Sequence, residues 1–424
     1  MKKFGINFNL VLGSQVISLI GGNVLRFALI LFILDFTNSA GTFGLVMAIT
    51  QLPVFLCSVP GGIIADRLDK KKLIVFFDGV KVIICIGLAL ILITGTYSVA
   101  NLTLFIAIFM AILTLFAPIL IAATPQIVSE EVLVEANGMI QGVNAMGDLV
   151  GFAIGGILVA TIGMLNIVIL VGILFVISTI IDLFIKIKHV KQHSEFGIAK
   201  TAVLDLKDSL NYSTKKNPFI IKMALIMGMF AFLILPIVTV AMPYIVRTQF
   251  EASDMMFGFA QAVGVFGMLL GGVFAGTLKK FLTFTNFPKF GLILALISLL
   301  LGVIVYAPLF SGIILPFWLF NITIMLMSVV MVLANIIIMS YFQEQVPTKY
   351  LGKVLAILMT IMNIATPLGQ MVYGQLMNLL GDNMSLLFVM VSILFLGLTV
   401  VTRKFFAKGQ TREGLNDVPV LSKA

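Results

Sequence analysis

Two ionisable side chains stand inside long apolar runs of this chain, where a charge needs a reason. Asp148 lies ten residues past Gly138, about 15 Å along a helix at 1.5 Å per residue. Gln141, Asn144, Asp148, Gly151 and Gly155 follow one another at steps of three and four, so they form one stripe on one helical face. A carboxylate at that depth is costly and calls for a cationic partner or a proton. Arg26 is the candidate partner. Gln15, Ser18, Gly22 and Arg26 share a face at steps of three, four and four, with Asn23 beside them. Two readings of Asp148 stay open: a group that binds and releases a proton, or a structural ion pair. Two stay open for Arg26 as well: reaching Asp148, or snorkelling outward toward Asp35.

These residues need elements that hold them in lipid. The chain has 424 residues, 60% hydrophobic and only 11% charged, with mean hydropathy +1.17. That is too little charge to cover a water-soluble protein of this length, and the apolar runs recur at the ~20 residues a bilayer crossing requires. Spans are expected at 9–34, 42–64, 73–95, 100–122, 138–161 and 164–186. A second set follows at 219–246, 255–277, 289–308, 311–338, 353–378 and 384–405. Each must be helical, because an open sheet cannot satisfy its backbone in hydrocarbon. The first run is too long for a signal-peptide core and reads as a true span.

Charge placement supports this count. With the N-terminus inside, the cytoplasmic groups are Lys2 and Lys3; Arg67, Lys70, Lys71, Lys72 and Lys81; eight lysines from Lys186 to Lys222; Lys279, Lys280 and Lys289; Lys349 and Lys353; and five cations from Arg403 onward. Only Arg26 and Arg247 remain. The net charge of +9 therefore follows membrane topology and is not a nucleic-acid surface. Cys57 and Cys85 sit in apolar runs and imply no disulfide framework. His189 and His193 lack a third ligand, so no metal site is expected, and no cofactor motif is present. The polar stretch 187–217 divides the chain into a first bundle over 1–186 and a second over 218–405, with a tail over 406–424. At an offset of 214 residues Gly62 aligns with Gly276, Glu130 with Glu344, Val132 with Val346 and Gly138 with Gly352, as expected of a parallel repeat.

The loop after the second span reads Gly62-Ile63-Ile64-Ala65-Asp66-Arg67-Leu68-Asp69-Lys70-Lys71. It resembles the loop between spans 2 and 3 of the major facilitator superfamily, Gly-x-Leu-Ala-Asp-Arg-x-Gly-Arg-Lys, with Asp69 in place of the family's glycine. The second copy has decayed, with Lys280 where Asp66 stands. Span 5 carries Gly138, Gly147, Gly151, Gly155 and Gly156 and so resembles the antiporter motif Gly-x8-Gly-x3-Gly-Pro-x2-Gly-Gly, with Phe152 replacing proline. Its spacing also suits plain close helix packing. The resemblance implies an all-α membrane protein of twelve transmembrane helices in two pseudo-symmetric six-helix bundles, with a substrate path between them. It further implies a conformational latch on the inner side, made of Gly62, Asp66, Arg67, Lys70 and Lys71 with Asp78, Glu130 or Glu131 as acidic partners. Span 4 lacks the arginine many proton-driven drug exporters of the superfamily carry.

The chain resembles the macrolide-efflux-like, drug/proton antiporter branch. The expectation is a proton-coupled, multidrug-type exporter of lipophilic small molecules in the cytoplasmic membrane, working as a monomer with both termini inside. Phe230, Phe232, Tyr244 and Trp318, with Gln261, Asn321, Asn335, Asn363, Gln370 and Tyr373, are candidates for an apolar, aromatic cavity. Pro236, Pro243 and Pro367 are candidate kinks. The alternative is a transporter of a lipid or metabolite, such as a lysophospholipid or a siderophore. An enzyme would need clustered catalytic groups, and only Arg26 and Asp148 are read as deep charges. A receptor or scaffold would leave the polar stripes of spans 1 and 5 without a purpose.

Overall fold

Lipid forces each crossing to satisfy its own backbone, and the computed structural model is helical throughout its described residues, 4–187, 218–306, 312–346 and 348–409. The first helices are α1 (Ile6–Thr37), α2 (Ala40–Arg67), α3 (Lys70–Thr94) and α4 (Val99–Ile127). A run of 52 residues, Leu133–Phe184, comes next. At 1.5 Å per residue it would reach about 78 Å, far beyond a hydrocarbon core of about 30 Å. Gly163, at φ 75° and ψ 167°, breaks it into α5 (133–162) and α6 (164–184). Only glycine takes that conformation cheaply, so two spans are joined by a single residue.

The remaining crossings begin with α7, which runs Pro218–Pro236, passes through a π-helical turn Ile237–Ala241 and ends as Met242–Thr248. Then come α8 (Asp254–Thr277), α9 (Phe287–Val305), α10 (Ile314–Gln345), α11 (Thr348–Leu380) and α12 (Ser385–Gly409). Among the described residues, ten stretches are apolar and long enough to cross a membrane. One of them holds both α5 and α6, and α11, the most amphipathic of the long helices, completes the twelve. Residues 188–217, including His189 and His193, lie outside the described residues, as do 410–424 of the tail.

The helix ends follow local chemistry. Ser39 caps α2 through the Thr42 amide, and Ser98 with Asn101 forms a reciprocal capping box on α4. Asp69 accepts from the Lys72 amide at 3.3 Å and starts α3. This gives a reason for its departure from the glycine of the superfamily loop: an aspartate at that position satisfies an orphan donor of the next helix.

By contacts the chain forms two units. One comprises residues 1–202 with 243–262; the other comprises 203–242 with 263–424. The same pairings recur in each. In the first, α1 packs on α5, α2 on α4, and α3 on α6, where Gly172 lets Cys85 come close. In the second, α7 packs on α11 and α9 on α12. Gly267 and Gly271 of α8 sit against Met325, Ser328, Val329 and Val332 of α10. These units differ from the bundles expected over 1–186 and 218–405, because 243–262 packs with the first unit.

Candidate functional site

The α1–α5 contact brings together the two polar stripes. Gly147, Gly151 and Gly155 face Leu19, Asn23 and Phe27, four residues apart on both helices. A Cβ on Gly151 would overlap the Cβ of Asn23, and one on Gly155 would stand 2.9 Å from the Phe27 ring. The close approach places α1's polar side chains against α5. Asp148 feels the positive charge of Arg26 and sits beside Asn23. The buried Asn23 Nδ2 is not in hydrogen-bond geometry with any group, so the three polar side chains are near one another without being locked together. The Arg26 guanidinium lies 5.6 Å from the Phe152 ring centroid, one turn beyond Asp148. Arg26 therefore faces α5 and not Asp35. Gln15 is buried, Asn144 is half-buried and Gln141 is exposed, so the stripe opens toward the α5 start. On the neighbouring face, Val16, Ile20, Val143, Met146 and Val150 line an apolar groove of about 370 Å³.

The glycine motif does two jobs. Gly156 meets α8: a Cβ there would lie 2.8 Å from the Asp254 carbonyl and 2.9 Å from Gly258 Cα. Gly138 has nothing within 4 Å.

Beside this crossing is an ion-pair cluster that the residue pattern did not announce. Arg247, near the end of α7, donates to both carboxylate oxygens of Asp35 at 2.7 Å, from Nε and Nη2. Its Nη1 donates to the Ala252 carbonyl at 2.8 Å and pairs with Asp254 at 2.9 Å. A bidentate arginine with a third acceptor fixes geometry far better than a single exposed pair does. Arg247→Ala should expose this region. A cysteine placed at the buried position Ala252 should then react several-fold faster with a membrane-impermeant maleimide. An unchanged rate would mean that packing alone holds the segment.

At the opposite end of α1 the structure corrects two expectations. Asp78 was assigned to the inner latch and Lys81 to the cytoplasmic charges. Both are interior, 1% and 2% exposed, and Lys81 Nζ pairs with Asp78 Oδ1 at 2.6 Å. Ser18 and Ser178 also donate to Asp78, and Lys81 donates to Ser18 at 2.8 Å. The ammonium is enclosed by Phe116 at 4.4 Å and Phe175 at 5.6 Å. Asp182, 1% exposed, completes the group. Arg26 and Asp148 are therefore not the only deep charges. The signal lay in three short steps: Asp78 and Lys81 at i, i+3, then Ser14 and Ser18, and Ser178 and Asp182, at i, i+4. Proximity to the basic loop and the α6 end hid it.

Of the other latch residues, Gly62 lies within α2 with open space at its Cα, Lys70 is buried and Lys71 is half-buried. The side chains of Asp66, Arg67 and Glu130 lie outside the described residues.

The second unit holds an apolar cavity of about 370 Å³ between α7, α10 and α11. Met227, Met331, Met339, Met362 and Phe230 dominate it, and Asn335 supplies its one polar side chain. Trp318, a candidate for such a lining, is instead exposed on α10. Asn321 is buried and donates to the Phe317 carbonyl of its own helix. Gln370 donates to Thr239 at 3.0 Å and Tyr373 to the Leu233 carbonyl, so both tie α11 to the kinked part of α7.

Twelve apolar helices in repeated pairs, with polar stripes buried between spans, are the build of a membrane transporter. Residues 11–370 match the Major Facilitator Superfamily, and the chain belongs to it. It is 24% identical over 392 residues to macrolide efflux protein A of Streptococcus pyogenes, covering 90% of this chain and 93% of that one. It is 30% identical over 156 residues to the enterobactin exporter EntS of Citrobacter koseri, covering 37% and 38% of the two chains. Among solved structures it is similar to the nucleoside transporter NupG, with TM-score 0.70 and 14% identity over 96% of this chain and all of that one. The last likeness concerns the fold alone.

Proposed function

We propose that this multi-pass transporter exports bulky lipophilic amphiphiles from the cytoplasm in exchange for protons. The observation that carries the substrate class is the methionine-rich cavity. Unbranched thioether side chains adapt to varied apolar shapes, and a lone amide gives orientation without demanding one hydrogen-bond pattern. A sugar or nucleoside site would need several convergent polar groups. The name of the streptococcal relative, matched nearly end to end, agrees with such cargo and with outward direction. Asp148, with Arg26, Asn23, Asn144, Gln141 and Gln15 around it, is the coupling site in this reading. The basic ends of the helices then face the cytosol of a bacterial-type cell, as do both termini. Gly62, Asp66, Arg67, Lys70, Lys71 and Glu130 form the inner latch, and Arg247 with Asp35 and Asp254 forms its outer counterpart. The protein works as a monomer.

Filling the cavity tests the substrate assignment. Met331→Trp should weaken binding of a fluorescent lipophilic dye to purified protein by tenfold or more, about 1.4 kcal/mol. Undiminished binding with a folded variant would place the substrate elsewhere. A second reading, export of a siderophore-like metabolite, is favoured by the partial match to the enterobactin exporter. It predicts competition of the dye by a catecholate siderophore.

A further inference from the structure

We propose that Asp182 and Asp78 form a buried proton-binding site in the first unit, distinct from Asp148, holding one proton between the two carboxyl groups while Lys81 balances the remaining charge.

Charges in this closed space must balance among the groups the helices supply. Three helices contribute. From α3 come Asp78 and Lys81, with Cys85 one turn further on, its Cβ facing Gly172. From α6 come Ser178 and Asp182, the helix's only ionisable residue. From α1 come Ser14 and Ser18, and the charged residues of that helix, Arg26 and Asp35, lie two or more turns away. The fourth neighbour, α4, has no ionisable residue at all and offers Phe116. One cation thus faces two carboxyl groups.

Asp78 takes that cation. Its Oδ1 accepts from Lys81 and Ser18, and its Oδ2 accepts from Ser178, whose hydroxyl also reaches the Ser14 carbonyl at 3.1 Å. Asp182 receives nothing of the kind. Both of its oxygens are buried and neither has a hydrogen-bond partner. A fully buried carboxylate whose nearest cation is already paired with Asp78 would cost several kcal/mol. A proton removes that cost. It also turns Asp182 from an orphan acceptor into a donor, and the acceptor within its reach is the Asp78 carboxylate. Two carboxyl groups sharing one proton is the usual outcome when like charges are held this close.

The location matters for use. Asp78 and Ser14 each lie about 12 Å along their helices from the α3 and α1 starts, and Asp182 is in the last turn of α6. By charge placement this is the cytoplasmic third of the bundle. Asp148 lies elsewhere, on α5. For the transport cycle the inference rests on the proton-coupled reading; the site itself does not.

Infrared spectroscopy of the purified full-length protein in lipid films counts protonated carboxyl groups through their C=O band. Relative to wild type, Asp182→Asn should remove one such group and Asp148→Asn should leave that component in place. Lys81→Met should add one, because Asp78 loses its counter-charge. The double variant Asp182→Asn/Lys81→Met should return to the wild-type count. Exchange of sodium for choline should change nothing. An Asp182→Asn spectrum identical to wild type would overturn the proposal, and so would a band that appears only when small cations are withdrawn. The isosteric Asp182→Asn arm stands even if Lys81→Met fails to fold. The spectrum reads the proton whether or not amphiphiles are exported, so the two ideas fail separately.

Discussion

In proteoliposomes with an imposed pH gradient, Asp148→Asn is expected to abolish uphill movement of a lipophilic dye while leaving downhill equilibration intact. The asparagine keeps the shape of the side chain beside Asn23 but cannot take a proton. One pH unit is worth about 1.4 kcal/mol per proton, enough to sustain a roughly tenfold dye gradient at one-to-one exchange. Wild type should therefore approach tenfold accumulation per pH unit, and the variant should stop near equality. Similar accumulation by both proteins would make the Arg26–Asp148 attraction structural. Insensitivity of wild type to the gradient would remove proton exchange from the mechanism and turn attention to lipid substrates. Asp182→Asn serves as the comparison in the same assay, since its carboxyl group lies on α6 and touches a different set of partners.

The second large effect is expected at Gly156. A methyl group there would press on backbone, the Asp254 carbonyl and Gly258 Cα, and backbone cannot swing aside as a side chain does. Overpacking of this kind costs about 1–3 kcal/mol. Gly138→Ala meets open space and should be neutral or slightly stabilising, because alanine favours helix over glycine by up to about 1 kcal/mol. Melting of the detergent-solubilised protein, followed by loss of its monodisperse size-exclusion peak, should rank Gly156→Ala well below wild type and Gly138→Ala at or above it. Equal melting of the two variants would sink the packing account. The motif that looks uniform in sequence would then split into positions that hold helices together and one that does not.

Sequence and structure agree best where lipid leaves no choice. The span expected at 9–34 is Ile6–Thr37, and the boundary placed between 161 and 164 is the break at Gly163. Hydropathy and loop charge carry those limits, because solvent and lipid act on every residue of a crossing. The stripes of α1 and α5 were legible for the same reason: polar residues at helical spacing in an apolar run have no other explanation. The Asp78–Lys81–Asp182 group was not legible as a group. Each member sits within a few turns of a helix end, where a charge ordinarily reaches water, and only packing shows that these do not. The Arg247 cluster was hidden by distance along the chain, since Asp35 is 212 residues away. The π-turn in α7 depends on hydrogen-bond register, which two prolines hint at without fixing.

That turn has a mechanical meaning. Residues up to Met242 pack within one unit and those from Pro243 within the other, so a single helix is shared between two bodies and the boundary falls directly after Ile237–Ala241. A regular helix transmits bending along its whole length. A π-turn flanked by prolines lacks the full i to i−4 ladder and yields first. Thr239 and Leu233, on or near the turn, are held by Gln370 and Tyr373 of α11, which act as stays on a flexible joint. Bending of α7 itself is then concentrated within about one and a half turns, at Ile237–Ala241.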